Sequence, residues 1–90
     1  SIANMYIKQG KPAEAIQLIQ GNLVTAKKLG NKKYLSYEYL NLGWAQSKLG
    51  LYPEAEQNLN KGLEIGEKYN LSSTLSYAYS HLSELYLKRI

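Results

Sequence analysis

The chain has no cysteine, no phenylalanine and no aspartate, and it carries a single arginine, a single histidine and a single tryptophan. Each absence removes a class of chemistry. Without cysteine there is no disulfide framework, no thiolate metal site and no cysteine nucleophile, and the redox compartment is left unmarked. Without aspartate or cysteine, His81 lacks the partners that a metal site or a histidine-based nucleophilic relay needs. Glu84, three residues on, can bond its ring, but such a pair is ordinarily a surface contact, so neither catalysis nor a metal or other cofactor is expected. One arginine among 90 residues argues against direct nucleic-acid reading, because arginine supplies most bidentate base and phosphate contacts. No apolar run approaches the ~18 residues of a membrane helix. Ser1-Ile2-Ala3-Asn4-Met5 has neither the charged nor the apolar region of a signal peptide, and the cytoplasm is the default expectation. No phosphate-cradling glycine loop is present either: Gly43, Gly62 and Gly66 fall inside helical patterns, where small residues allow close helix–helix approach.

What is there points elsewhere. The length fits one small domain near the lower end of what a single core supports. Net charge is +4, from eleven Lys and Arg against seven acidic residues, all of them Glu. The lysines are dispersed, which fits a solvated surface with a mild preference for acidic partners. Nine tyrosines suit amphipathic contacts. Above all, the chain resembles itself at an offset of 40 residues: Lys8 falls on Lys48, Gly10 on Gly50, Glu14-Ala15 on Glu54-Ala55, Leu35-Ser36-Tyr37 on Leu75-Ser76-Tyr77, and Leu42 on Leu82. A fixed period of this size marks a stacked array whose units bury their apolar faces only against one another.

Within each unit the apolar residues recur at helical spacing. Ala15, Ile19, Leu23 and Ala26 form one stripe, and Ala55, Leu59, Leu63 and Gly66 repeat it. Leu35, Tyr39, Leu42, Ala45 and Leu49 form a second, repeated by Leu75, Tyr79, Leu82 and Tyr86; these stripes are expected to be buried. Gly10-Lys11-Pro12 and Gly50-Leu51-Tyr52-Pro53 read as turns, with Pro53 opening a helix. Glu14 and Glu54 complement helix N-termini. Gly30-Asn31 and Asn70 suit C-caps, and Ser72 and Ser73 suit N-caps. Five helices are predicted, over about residues 1–9, 13–29, 33–49, 53–69 and 73–89. The units run over approximately 1–30, 31–70 and a partial 71–90, within one array spanning 1–90. Both ends read as cuts through a longer array.

Leu42-Gly43, Gly50, Tyr52, Glu54-Ala55, Leu59 and Gly62 together resemble the tetratricopeptide repeat, with its Leu-Gly pair in a first helix and Gly-x-Tyr-x-x-Ala at the turn. A weaker form occupies Ile2-Ala3, Tyr6, Gly10, Glu14-Ala15 and Ile19, with Pro12 in place of the turn tyrosine. A third unit retains Tyr79, Leu82, Ser83 and Tyr86. The unit is 40 residues rather than the family's usual length of about 34, and longer units of this kind are similar to those of bacterial regulatory proteins. The resemblance implies an all-α, right-handed superhelical solenoid of antiparallel helix pairs. It further implies a non-enzymatic scaffold whose first helices line a concave groove that binds a protein or peptide.

Carried over, the groove positions are Asn4 and Lys8, then Tyr37, Asn41, Trp44 and Lys48, then Tyr77, His81, Glu84 and Lys88. Residues 37, 41, 44 and 48 share one helical face. Asn4 and Asn41 match amides that hold a peptide backbone in some family members, or else stand solvated. The basic residues that complete a carboxylate clamp are unmatched, since Tyr77 and His81 occupy the third-unit positions. Trp44 has two readings, an anchor for a partner side chain or filler for the groove floor. Tyr39 and Tyr79 are expected in the core, and Tyr34, Tyr52 and Tyr69 at helix ends need only pack. Lysines 8, 48 and 88 favour an acidic partner. Two alternatives remain: a structural segment that self-associates through apolar Ile2, Ile7, Tyr86, Leu87 and Ile90, or a sensor module whose output domain lies outside this stretch.

Overall fold

The computed structural model describes residues 2–89. They form five helices, α1 (Ile2–Lys8), α2 (Pro12–Leu29), α3 (Lys32–Lys48), α4 (Tyr52–Lys68) and α5 (Ser72–Arg89), and no strand. The local chemistry that sets the boundaries was largely visible in the residues. Pro12 and Pro53 lie at the first or second positions of α2 and α4, where a missing N–H leaves no bond unmade. Gly30 takes φ 65° after α2, and its N–H bonds back to the Ala26 and Lys27 carbonyls. Asn31 then does a different job from the one expected: its side chain accepts from the Tyr34 N–H at 3.0 Å and caps α3. Asn70 takes φ 53° between α4 and α5. Ser72 and Ser73 are the first helical residues of α5 and not its cap; the Thr74 hydroxyl donates to the Leu71 carbonyl at 3.0 Å across that turn.

Each helix packs on the next, and α3 also touches both α1 and α5. One layer therefore holds α1, α3 and α5, and the other holds α2 and α4, which do not meet. This is the arrangement of a helix-pair array. Two apolar clusters run through it, one of Ala3, Ile7, Ala15, Ile19 and Ala45, the other of Leu40, Ala55, Leu59, Ala78, Leu82 and Leu85.

The α3–α4 seam is closer than hydropathy suggests. A Cβ added at Gly43 would lie 2.6 Å from Leu59 Cγ and 2.8 Å from the Ala55 carbonyl oxygen, and one added at Gly62 would lie 2.5 Å from Leu40 Cδ2. The Ser36 hydroxyl donates to the Gly62 carbonyl at 2.8 Å. Residues on the buried seam of α3 are accordingly Ser36, Leu40, Gly43 and Ser47.

That overturns the second apolar stripe. Ala45 and Leu82 are buried, but Leu35, Tyr39, Leu42 and Leu75 are half-buried, and Leu49, Tyr79 and Tyr86 are 45%, 53% and 48% exposed. On α3 the close seam is filled by Ser36, Leu40, Gly43 and Ser47, so Leu35, Tyr39 and Leu42 lie at its margins. Tyr39, expected in the core, lies at such a margin with the Lys27 and Lys61 ammonium groups 6.0 and 5.5 Å from its ring. Ile7, expected at an open end, is buried; Ile90 lies outside the described residues.

Candidate functional site

The positions at 37, 41, 44 and 48 on α3 do share a face, and α1 and α5 flank it. Asn4 Nδ2 on α1 donates to the Tyr77 hydroxyl on α5 at 2.8 Å, and that hydroxyl donates to Asn41 Oδ1 on α3 at 2.6 Å. Three helices are thus tied at one phenol. Burial pushes the Tyr77 pKa up to about 12, so the group stays protonated and remains a donor. Asn41 is almost fully buried. Neither amide is simply solvated, and both are engaged inside the protein.

Beside this knot lies a run of rings. Tyr37 packs edge-on against Tyr77 at 5.4 Å between centroids, Tyr77 against His81 at 4.4 Å, and His81 against Trp44 at 4.6 Å. His81 is buried rather than a surface residue. Burial holds its pKa below the usual imidazole value, with Glu84 opposing that shift. Glu84 is drawn away from the ring: it pairs with Lys48 at 3.5 Å and Lys88 at 3.3 Å. Burial alone would raise the Glu84 pKa, but those two lysines outweigh it and hold the carboxyl low. Trp44 is half-buried, packs on the first apolar cluster, and has its Nε1 enclosed without a partner. Lys8 is exposed at the end of α1.

Asn4, Tyr37, Asn41 and Tyr77 also line a cleft of about 370 Å³, together with Tyr34 and Glu38. Trp44, Lys48, His81, Glu84 and Lys88 lie outside it, toward the C-terminal ends of α3 and α5. The sequence reading passed over Glu38 and treated Tyr34 as packing. Glu38 is only 2% exposed. Asn22 Nδ2 on α2 donates to it at a long 3.4 Å; burial raises its pKa above the ordinary carboxyl value, opposed by the hydrogen bonds of Asn22 and Asn41 and by the N-terminal ammonium. A signal was present: Glu38 is the sole acid in α3, set between Tyr37 and Tyr39, where the next unit has Ala78.

A helix-pair array with close glycine seams and an aromatic face across α1, α3 and α5 accords with what similarity to known proteins shows. The profile described as tetratricopeptide repeat matches residues 1–68. The chain belongs to the tetratricopeptide repeat family. No curated protein and no solved structure gives a significant match. Tetratricopeptide repeats are in general protein-interaction scaffolds, and catalysis is not typical of them. Among the described residues, no three His, Cys, Asp or Glu side chains are grouped to hold a metal ion, and no helix is long and apolar enough to cross a membrane.

Proposed function

We propose that this array is a non-enzymatic scaffold that takes an extended peptide or a partner's helix along the face formed by α1, α3 and α5. The observation that carries the reading is the cleft whose walls come from all three of those helices: Asn4 from α1, Tyr34, Tyr37, Glu38 and Asn41 from α3, and Tyr77 from α5. Concave, aromatic-lined and mixed with a few polar groups, it has the make-up of a recognition site. The ten groove positions divide by role. Tyr37 and Tyr77 offer ring surface. Asn4 and Asn41 orient Tyr77. Trp44 and His81 form a floor. Lys8, Lys48 and Lys88 form a basic margin, partly neutralised by Glu84, that favours an acidic stretch of ligand there. The 40-residue period supports placing the array among the longer-unit regulators of bacteria, as a sensor segment.

The test is affinity capture from lysate with the wild type, Tyr37→Ala, and Glu64→Lys on the exposed side of α4. A partner retained by the wild type and Glu64→Lys but lost by Tyr37→Ala, with helicity unchanged, supports the groove. Equal capture by all three sinks it.

A second reading rests on α5, where Tyr79, Tyr86 and Leu87 are 53%, 48% and 72% exposed. Here the segment stacks on further repeats or on another copy through that face. Concentration-dependent mass by light scattering, abolished in Leu87→Glu, supports stacking; a strict monomer at high concentration removes self-association.

A further inference from the structure

We infer that the cleft walled by Tyr34, Tyr37 and Tyr77 and bordered by Glu38 accepts the cationic end of a single lysine or arginine side chain from the bound segment. The inference rests on the groove reading above and adds the chemistry of one residue of the ligand.

Charge is the first argument. Glu38 is buried, yet the ion pairs among the described residues run from Lys48 and Lys88 to Glu84 and leave Glu38 aside. Its hydrogen bonds come from neutral amides, Asn22 at a long 3.4 Å and Asn41, while the N-terminal ammonium also favours its charged form. A carboxylate withdrawn from water is ordinarily matched by short charge-assisted donors or a cation, and this one faces a cavity that can admit one. An acidic or phosphorylated side chain would be repelled there. An aliphatic one would add no partner for the carboxylate.

Shape and ring chemistry give the second argument. Tyr37 and Tyr77 meet edge-to-face at 64° with centroids 5.4 Å apart, and the ring surface outside that contact lines the cleft. Tyrosine faces attract ammonium and guanidinium groups within about 6 Å. Tyr77 cannot swing away, because its hydroxyl is held by Asn4 and Asn41. The volume of about 370 Å³ lies within the roughly 300–1,000 Å³ of small-ligand sites and has room for one long side chain.

Selectivity along the groove follows. The basic margin at Lys8, Lys48 and Lys88 favours acidic residues of a ligand, and the Glu38 cleft favours a basic one. A segment carrying both signs in the right order is held in one direction only.

The experiment is a titration of the whole chain, followed by backbone amide NMR, with N-acetyl-lysine N-methylamide, its arginine counterpart, and the norleucine counterpart as a neutral isostere. Both cations are expected to shift the amides of residues 34, 37, 38, 41 and 77, with norleucine binding about tenfold or more weakly. Glu38→Gln keeps the shape and should weaken both cations by about tenfold or more, and circular dichroism checks that it folds. Norleucine binding as well as lysine, an unaffected Glu38→Gln, or shifts confined to another surface would each overturn the subsite. Loss of the cation response while Tyr37→Ala still abolishes partner capture refutes the subsite and leaves the groove standing. Capture insensitive to Tyr37→Ala refutes the groove and leaves a cation site that needs another explanation.

Discussion

Half-buried Tyr77 and buried Glu38 hold opposite polar roles at this site. Tyr77 both accepts and donates, linking Asn4 and Asn41 across three helices. Tyr77→Phe retains the ring but strands Asn41 Oδ1 in a buried position, and an unmet buried acceptor costs about 1–3 kcal/mol. Chemical denaturation is expected to show a loss of that size with the fold intact. Glu38 acts in the opposite direction. Burial raises its pKa from 4.5, so the folded state holds the proton more tightly than the unfolded chain. Its contribution is therefore fully present below pH 4.5 and is lost as pH rises through the raised folded value. Glu38→Gln removes that loss. The variant should melt above the wild type at pH 7, and the gap should close as the pH falls to about 4. A gap that stays constant with pH would mean that the carboxyl is ionised in the fold at no cost. Gaining stability while losing a ligand is the expected signature of a residue kept for recognition.

At the scale of elements, the glycines distinguish seams from surfaces. Gly21 lies mid-α2 with open space where a Cβ would go, whereas a Cβ added at Gly43 or Gly62 would come within 3.0 Å of Leu59 and Ala55 or of Leu40 and Ser36. Gly21→Ala is expected to stabilise the protein by about 0.5–1 kcal/mol, since it only removes freedom from the unfolded chain. Gly43→Ala and Gly62→Ala force overpacking and are expected to cost about 1–3 kcal/mol or more. Gly43→Ala has the closer backbone obstacle, with the Ala55 carbonyl oxygen 2.8 Å from the added Cβ against 3.0 Å to the Ser36 carbonyl oxygen at Gly62. Thermal melts of the three variants test the seam directly, and the same sign for all three would contradict it.

At the scale of the whole molecule, the array is close to one-dimensional, so stability grades from the middle outward. Helix α3 packs on every other helix, while α1 has seven residues, too few for a helix that stands alone. Amide exchange is expected to be slowest in α3 and α4 and fastest in α1. A uniform exchange rate along all five helices would show instead that the array opens only as a unit. Because Asn4 joins Tyr77 from α1, opening of α1 also loosens the cleft, and a ligand seated there should slow exchange in α1 together with α3 and α5.

Much of this architecture was legible in the residues before any coordinates. The 40-residue offset, the prolines opening α2 and α4, and the stripes at Ala15–Ile19 and Ala55–Leu59 settle helix number, helix bounds and family, because these depend on local geometry and on spacing along one helix. The shared face of Tyr37, Asn41, Trp44 and Lys48 follows from the same periodicity. What the spacing along single helices did not decide is anything that depends on the distance between them. Leu35 and Tyr39 look like core by hydropathy, but α3 meets α4 along Ser36, Leu40 and Gly43, which turns the stripe at Leu35 and Tyr39 to the margin of the seam. Asn4, Asn41 and Tyr77 are far apart in the chain, and only packing turns them into one hydrogen-bonded knot. Glu38 has the same cause. Sequence marks it as a lone acid between tyrosines, and only packing buries it beside a cleft, against the amides of Asn22 and Asn41.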